Sequence, residues 1–206
     1  GSGNIDFDGI VGATPLGAVT IVSAGNVTAD AAFSAASVVK VHEQEQRSLM
    51  GINHISSSSS NYYVAAINLN STINTTAGLG VTTFVNTGAL TIGAGGDITS
   101  GGAFDQSGGG TVSTAGDITT TNAAIGFADP VTLTAAVALS SGAGAGTITF
   151  GGTLLGTQTL SLTAGSGNID FDGIVGATPL GAVTIVSAGN VTADAAFSAA
   201  SVVQSA

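Results

Sequence analysis

A short motif recurs along this chain at nearly constant intervals. In it a glycine is followed by Asn, Asp or Thr and then by Ile or Val, with the glycine at positions 3, 25, 96, 116, 146, 167 and 189. Several intervals are close to one another: 25 − 3 = 22, 116 − 96 = 20, 167 − 146 = 21 and 189 − 167 = 22. A period of this length is typical of a β-solenoid, in which three short strands and three corners make one coil. The longer interval 146 − 116 = 30 predicts an inserted bulge or a longer corner.

Apolar residues alternate with polar ones in the segments that follow the motif. Ile5 and Phe7 flank Asp6, and a β-strand places such alternate residues on opposite faces. The same alternation over residues 131–139 predicts one long strand with an apolar side. The Gly-Asn pairs at Gly3-Asn4 and Gly25-Asn26 each stand directly before a strand, where we expect a turn that needs a left-handed residue. Asn or Asp at equivalent corners is expected to form hydrogen-bonded ladders between coils.

The composition favours a solenoid over the main alternative, a string of antiparallel β-sandwich modules. Aromatic residues make up only 5% of the chain, whereas two sheets about 10 Å apart need bulky side chains between them. Charged residues make up 7% and the mean hydropathy is +0.52, the opposite of the balance found in disordered chains. We therefore predict an all-β protein, a parallel β-helix (β-solenoid) with coils of about 20–22 residues and the shape of an elongated rod.

One stretch of the chain occurs twice without a change. Residues 1–39 return as residues 165–203, so the offset between the copies is 165 − 1 = 164. Cores tolerate many substitutions of similar volume, so identity over this length indicates a duplicated module. We predict a single solenoid over 1–206, with one repeat unit in 1–164 and the start of the next in 165–206. Stacked about 4.8 Å apart, the roughly eight coils of one unit would rise about 38 Å.

The segment from 40 to 63 departs from this pattern. It contains both basic residues, both histidines, both glutamates and a run of five serines. We predict an edge strand or two, over 38–46 and 49–55, followed by a solvated serine loop, with a helical turn as the alternative. After Val203 the second copy continues differently, so the modules diverge where this segment begins.

The charge balance excludes several classes of function. Only Lys40 and Arg47 are basic, against twelve acidic residues, so no surface of this chain could neutralise a run of phosphates. This argues against nucleic-acid binding and against attraction to an anionic membrane. The chain has no cysteine for disulfides or thiolate metal sites, and no apolar run of the length of a membrane helix. It begins at Gly1 without Met or a signal peptide, which indicates a piece of a longer or processed polypeptide.

Three stretches carry a resemblance to a known family: GALTIGAGGDI at 88–98, the Gly- and Thr-rich run at 112–173, and VTIVSAGNVTADAAF. They resemble the giant "beta strand repeat" surface proteins of Gram-negative bacteria, relatives of the filamentous haemagglutinins. The resemblance covers 63–206 and 1–39, and the segment 40–62 departs from it. It implies a right-handed parallel β-helix, export to the cell exterior and a role in adhesion or surface fibres. No catalytic residue comes with it.

The repeated IDFDG sequence offers the best candidates for a metal site. In it, Asp6 and Asp8, and their copies Asp170 and Asp172, would point the same way about 7 Å apart along a strand. A third oxygen from a neighbouring coil could then complete a calcium site. The simpler interpretation, which we favour, is a solvated outer face whose charge keeps the rod soluble, with no cofactor.

Other candidate sites are weaker. His42 and His54 with Glu43 and Glu45 could form a metal cluster, but adjacent residues of a strand point to opposite faces and a polar loop explains them better. Catalysis by a groove of the rod would need an acidic or basic pair, and the only two cations lie in the irregular segment, so we do not expect an enzyme. Outward threonines suggest an ice-binding surface as a further alternative, with the residues Thr132, Thr134, Thr147, Thr149, Thr159 and Thr184.

The sequence therefore predicts a structural module of an extracellular repeat protein on a bacterial surface. Each coil contacts only its neighbours, so length is added by duplicating modules, and an uncapped end exposes strand edges. We expect head-to-tail association into filaments, a surface fibre or a matrix. The alternative is an adhesin or carbohydrate-binding rod in which the segment 40–63 contacts host or matrix glycans.

Overall fold

The computed structural model describes residues 3, 5–21, 27–29, 33–41, 55–56, 59–64, 67–70, 72–76 and 80–205. Strands account for all the regular structure of these residues, and none of them is helical. In chain order the strands are β1 (Ile5–Phe7), β2 (Val11–Ile21), β3 (Val27–Ala29), β4 (Phe33–Val41), β5 (Ile55–Ser56), β6 (Ser59–Val64), β7 (Ile67–Leu69), β8 (Ile73–Asn74), β9 (Thr82–Asn86), β10 (Leu90–Ile92), β11 (Ile98–Ser100), β12 (Phe104–Ser107), β13 (Val112–Thr114), β14 (Ile118–Thr120), β15 (Ile125–Phe127), β16 (Val131–Leu133), β17 (Val137–Ser140), β18 (Ile148–Phe150), β19 (Leu154–Leu155), β20 (Leu160–Thr163), β21 (Ile169–Phe171), β22 (Val175–Ser187), β23 (Val191–Ala193) and β24 (Phe197–Gln204).

The strands pair in parallel, each with the strand one coil away along the chain. The sequence separation of successive partners ranges from 73 − 55 = 18 to 98 − 73 = 25. A parallel partner at such a short separation requires the chain to make a full circuit between the two strands. The predicted β-solenoid is confirmed, with a coil length that scatters around the predicted one.

The coils have three faces, which we number in the order that the chain visits them. Face 1 contains β7, β10, β13, β16, β19 and the first residues of β22 and β24. Face 2 contains β5, β8, β11, β14, β17, β20, the starts of β2 and β4 and the ends of β22 and β24. Face 3 contains β6, β9, β12, β15, β18, β21, β23 and the ends of β2 and β4. On face 1, six successive strand pairings lead from Ile67 to Phe197, so these two residues are six coils apart.

In strands β7 to β21, alternate residues point into the interior and are buried against the same positions of neighbouring coils. On face 1, for example, Leu90, Val112, Val131 and Leu154 form one column. Six phenylalanines stack through the interior, with ring centroids 5.2–5.8 Å apart, namely Phe84, Phe104, Phe127, Phe150, Phe171 and Phe197. The rod is therefore held together by continuous apolar columns, and each coil is buried by the coils on either side of it.

The glycine of the recurring motif has a different role from the expected one. Gly167 and Gly189 are not in the left-handed region of φ. Instead, a Cβ added to Gly167 would lie 2.3 Å from the carbonyl oxygen of Gly146, and one added to Gly189 would lie 2.6 Å from that of Ser166. Gly25 lies outside the described residues, but the left-handed turn predicted at Gly3 and Gly25 is absent from their copies Gly167 and Gly189, where the corner instead requires close contact between the backbones of stacked coils.

The longer interval between the motif copies at Gly116 and Gly146 is also not an insertion. Ile118, which follows the motif at Gly116, lies on face 2, whereas Ile148, which follows it at Gly146, lies on face 3. The motif has moved by one face, so this interval contains one coil and a third of the next. The predicted bulge is wrong because the motif marks a corner, and each coil has three corners.

The two identical stretches lie on different faces for the same reason. The face 2 column runs through Val11, Phe33, Ile55, Ile73, Ile98, Ile118, Leu139 and Leu162, so seven coils separate its first and last residues. Val175, the copy of Val11, lies two faces further along, on face 1. The repeat unit over 1–164 therefore spans about seven and two-thirds coils, close to the expected eight, or about 37 Å at about 4.8 Å per coil.

Two local predictions need correction. Residues 131–139 form two short strands, β16 and β17, because the chain turns a corner between them, where the Thr134 N–H donates to the carbonyl oxygen of Thr114 at 2.8 Å. In the irregular segment, Ser59 and Ser60 belong to strand β6 and not to the predicted loop. Strands β5 and β6 pair with coils on both sides, so this part of the segment continues the solenoid.

Candidate functional site

Strand edges lie at the two ends of the described stack of coils. The upper edge, formed by β23 and β24, pairs with β21 and β22 on one side only among the described residues. The lower edge, formed by β1 and β2, pairs only with β3 and β4 within the same set. In a parallel ladder the N–H and C=O groups of alternate residues point to each side, so each edge offers a row of backbone donors and acceptors.

The upper edge also exposes apolar side chains. Val202 is in register with Val183, which is completely buried, yet Val202 is itself 53% exposed. Val203 is 55% exposed and Val191 on β23 is 37% exposed. Val202 therefore occupies an interior position of its column. It is exposed only because no described coil lies above it. An added coil would bury this valine and Val191, which is in register with the buried Ile169, whereas Val203 is in register with the outward-facing Thr184.

The lower edge is also more exposed than the strand that repeats its sequence in the second copy, β22. Leu16 is 41% exposed, whereas Leu180, the same residue in the second copy, is 1% exposed. The coil that contains β19 and β20 lies directly below β22 and covers Leu180. No such coil is described below β2. The identical sequence therefore shows how the lower edge looks when it is covered.

Two glycines at the lower edge fit this comparison. A Cβ added to Gly3 or Gly9 would have no atom within 4 Å. In the second copy, a Cβ on Gly167 would lie 2.3 Å from the carbonyl oxygen of Gly146, and one on Gly173 would lie 2.4 Å from that of Gly152. The lower edge therefore carries glycines at the positions where a preceding coil comes closest to the backbone.

Acidic residues link successive coils through hydrogen bonds. Asp97 Oδ1 accepts the backbone N–H of Asp117 at 2.9 Å, and Asp117 Oδ1 accepts that of Ala138 at 2.7 Å. The expected ladder is present, but it runs from carboxylate to backbone. Inside the coils, the side-chain amide of Gln106 donates to Asn86 Oδ1 at 2.8 Å and to Asp129 Oδ2 at 2.9 Å. These side chains form hydrogen bonds with one another or with the backbone of a neighbouring coil.

The calcium candidates lie at the surface of this stack. Asp6, Asp8 and Asp172 are exposed and Asp170 is half-buried. Asp8 and Asp172 lie just beyond β1 and β21, so each pair is split between a strand and a corner. The in-register neighbours of Asp170 are threonines, and the hydroxyl of one, Thr192, donates to Asp170 Oδ1 at 2.6 Å. Among the described residues there is no group of three or more His, Cys, Asp or Glu that could hold a metal ion.

The remaining sequence candidates fall into two sets. His42, Glu43, Glu45, Arg47 and His54 lie outside the described residues, so the proposed metal cluster and much of the proposed glycan-binding segment do too. The threonines considered for ice binding are distributed over the rod, with Thr132 on face 1, Thr184 on face 2 and Thr149 on face 3. They do not form one flat array.

Comparison of the chain with protein-family models, with curated proteins and with solved structures gave no match. A search of the described residues for a helix long and apolar enough to cross a membrane found none. The phenylalanine stack is the main feature that the sequence interpretation missed. Its signal is the recurrence of Phe at 84, 104, 127, 150 and 171, each one coil after the last.

Proposed function

We propose that this chain is a structural module of an extracellular repeat protein, which associates end to end into a filament, surface fibre or matrix. The observation that carries the proposal is the pair of strand edges at opposite ends of one continuous stack. The upper edge exposes Val202 and Val191, which hold interior positions of their columns, and the lower edge exposes Leu16. Joining the two edges buries these apolar side chains and pairs the backbone groups of both.

The location outside the cell rests on the resemblance to bacterial surface proteins. The stack supports a mechanical role, because a solenoid gains length by adding coils without any change in its cross-section. The exposed aspartates on the sides of the rod favour contact at its ends over contact between its sides, since like charges repel when rods lie side by side.

The test is electron microscopy and sedimentation of the purified chain over a range of concentrations. We expect filaments, or oligomers that grow with concentration and have the width of one rod. The double variant Val202→Lys with Val203→Lys places two charges on the upper edge and is expected to weaken association at least tenfold. The matched control is Val81→Lys with Val186→Lys, since these valines are 36% and 44% exposed and neither belongs to an edge strand.

A chain that remains monomeric at every concentration would contradict the proposal. So would equal loss of association in the control, because association would then depend on net charge and not on the edge. Circular dichroism and thermal unfolding of both double variants verify that the solenoid itself is intact.

A further inference from the structure

The second copy of the repeated stretch shows how a coil of this sequence sits on a preceding one. Strands β21 and β22 have the residues of β1 and β2, and they lie on β18, β19 and β20. In this setting Ile169 and Phe171 are buried against Ile148 and Phe150. Their copies Ile5 and Phe7 are only half-buried. The lower edge thus has the side chains and glycines of a strand pair that, in the second copy, is seated on a coil.

The upper edge supplies the matching positions. Val191 and Ala193 are in register with Ile169 and Phe171, and so they occupy interior positions of face 3. Phe197 is in register with Val175, and Val202 is in register with Val183. Val175 and Val183 are 1% and 0% exposed. The upper edge is therefore apolar at every interior position named here. A coil with apolar residues at the same spacing continues its columns.

We propose that the lower edge of one chain docks on the upper edge of a second copy, with β1 on β23 and β2 on β24, so that Ile5 meets Val191, Phe7 meets Ala193 and Val19 meets Val202. This inference rests on the proposed end-to-end association and specifies its register. A shift by one residue would turn Asp6 into the apolar interior, and the desolvation of its carboxylate disfavours that alternative.

The order of the faces selects the strands that meet. Strand β24 ends on face 2, so the next strand along the coil belongs on face 3, where β23 is the uppermost described strand. The chain makes the same step internally, since β20 on face 2 is followed by β21 on face 3. Placing β1 of the second copy on β23 repeats the arrangement of β21 on β18.

This register turns each chain relative to the one before it. Within its own chain, β1 precedes the face 2 start of β2 and so occupies the face 1 position of its coil. Docked on β23, it occupies face 3 of the neighbouring chain. Successive chains are therefore related by a screw of about a third of a turn, and a given surface returns to the same side at every third chain.

A pair of single cysteines tests the register, because the chain has no cysteine of its own. Asp6 and Thr192 are both exposed at the middle of their strands, and neighbouring parallel strands lie about 4.8 Å apart, within the Cα distances that disulfides accept. We would mix Asp6→Cys chains with Thr192→Cys chains under mild oxidation. The control mixture combines Asp6→Cys with Val203→Cys, which lies on face 2.

We expect at least ten times more disulfide-linked heterodimer in the first mixture than in the second. The opposite result, with filaments present, would overturn the register and leave end-to-end association intact. Heterodimers in neither mixture, together with a monomer in sedimentation, would contradict both the register and the proposed function.

The glycines of the lower edge provide a second test. Gly3→Ala with Gly9→Ala adds methyl groups to open space in the single chain, so its thermal unfolding temperature should be unchanged or slightly raised. In the docked form these methyl groups meet the backbone of the neighbouring coil, so association should fall at least tenfold. The control is Gly126→Ala, whose Cβ would make an ordinary contact of 3.5 Å on the side of the rod. Association of the double variant equal to that of the wild type would overturn the proposed seating.

Discussion

The two copies of the repeated stretch have one sequence and two environments. In the second copy, Val175 and Leu180 are each 1% exposed, because coils lie both above and below β22. In the first copy, Val11 is half-buried and Leu16 is 41% exposed, because only the coil above β2 is described. The comparison teaches that a coil of this protein is stable through its neighbours, and that an end coil has half of them.

The largest expected difference between the copies concerns their phenylalanines. Phe171 is 1% exposed and stacks on Phe150 at 5.3 Å and on Phe197 at 5.2 Å, so Phe171→Ala should lower the free energy of unfolding by about 3–5 kcal/mol. Phe7→Ala removes a half-buried ring and should cost no more than about half as much. Urea denaturation followed by circular dichroism measures both. Equal losses would show that the first copy is covered as well as the second.

The leucines test the same comparison at the corner between two faces. Leu180→Ala leaves a cavity in the interior and should cost about 2–5 kcal/mol, whereas Leu16→Ala should cost about 1 kcal/mol or less. The same denaturation experiment applies, at a concentration where the chain is monomeric. If end-to-end association is then allowed by raising the concentration, the cost of Leu16→Ala should increase. A cost of Leu16→Ala that does not depend on concentration would argue against a covered lower edge.

Glycine-to-alanine substitutions should change the free energy of unfolding in opposite directions in the two copies. Gly173→Ala places a methyl group 2.4 Å from the carbonyl oxygen of Gly152 and should destabilise the chain by about 1–3 kcal/mol. Gly9→Ala meets no atom within 4 Å and should be neutral or stabilising by up to about 1 kcal/mol, since it restricts the unfolded chain. Thermal unfolding midpoints measure the difference. A loss at Gly9 would mean that a coil already covers it.

Calcium should produce the smallest effect. The in-register neighbours of Asp170 are threonines, and among the described residues no group of three or more acidic side chains surrounds it, so a bound ion would lack the several carboxylates that tight sites provide. We expect millimolar calcium to change the melting temperature by less than about 1 °C, and Asp170→Asn with Asp172→Asn to respond in the same way. A calcium-dependent rise that the double variant abolishes would establish the site that the sequence suggested as an alternative.

Several features of the fold were predictable because they depend on local periodicity. The alternation of apolar residues identified interior positions such as Ile98, Ile118 and Ile148, all of them buried. The spacing of the Gly-Asx motif indicated the length of a coil. The corners were less predictable, because residues 131–139 keep one parity while the chain turns from face 1 to face 2 between β16 and β17. Parity continues through a corner, so it cannot reveal one.

The candidate edges could be anticipated only in general terms. That an uncapped solenoid exposes strand edges follows from its architecture, and the sequence indicated as much. Which strands form the edges, and that Val202 is exposed while Val183 in the same column is buried, depends on the position of each coil in the stack. Sequence patterns assign both valines to the interior.

The sequence by itself determined the strand content, the length of a coil and the residues that point inward, because period-two alternation and the spacing of the motif are local properties. Only the tertiary structure decided on which face each strand lies, and hence that the two copies differ by two faces. It also showed why the motif contains glycine. At Gly167 and Gly189 the backbone of the neighbouring coil comes too close for a side chain. The physical reason is that these properties depend on residues a full coil away in the sequence, brought together by stacking.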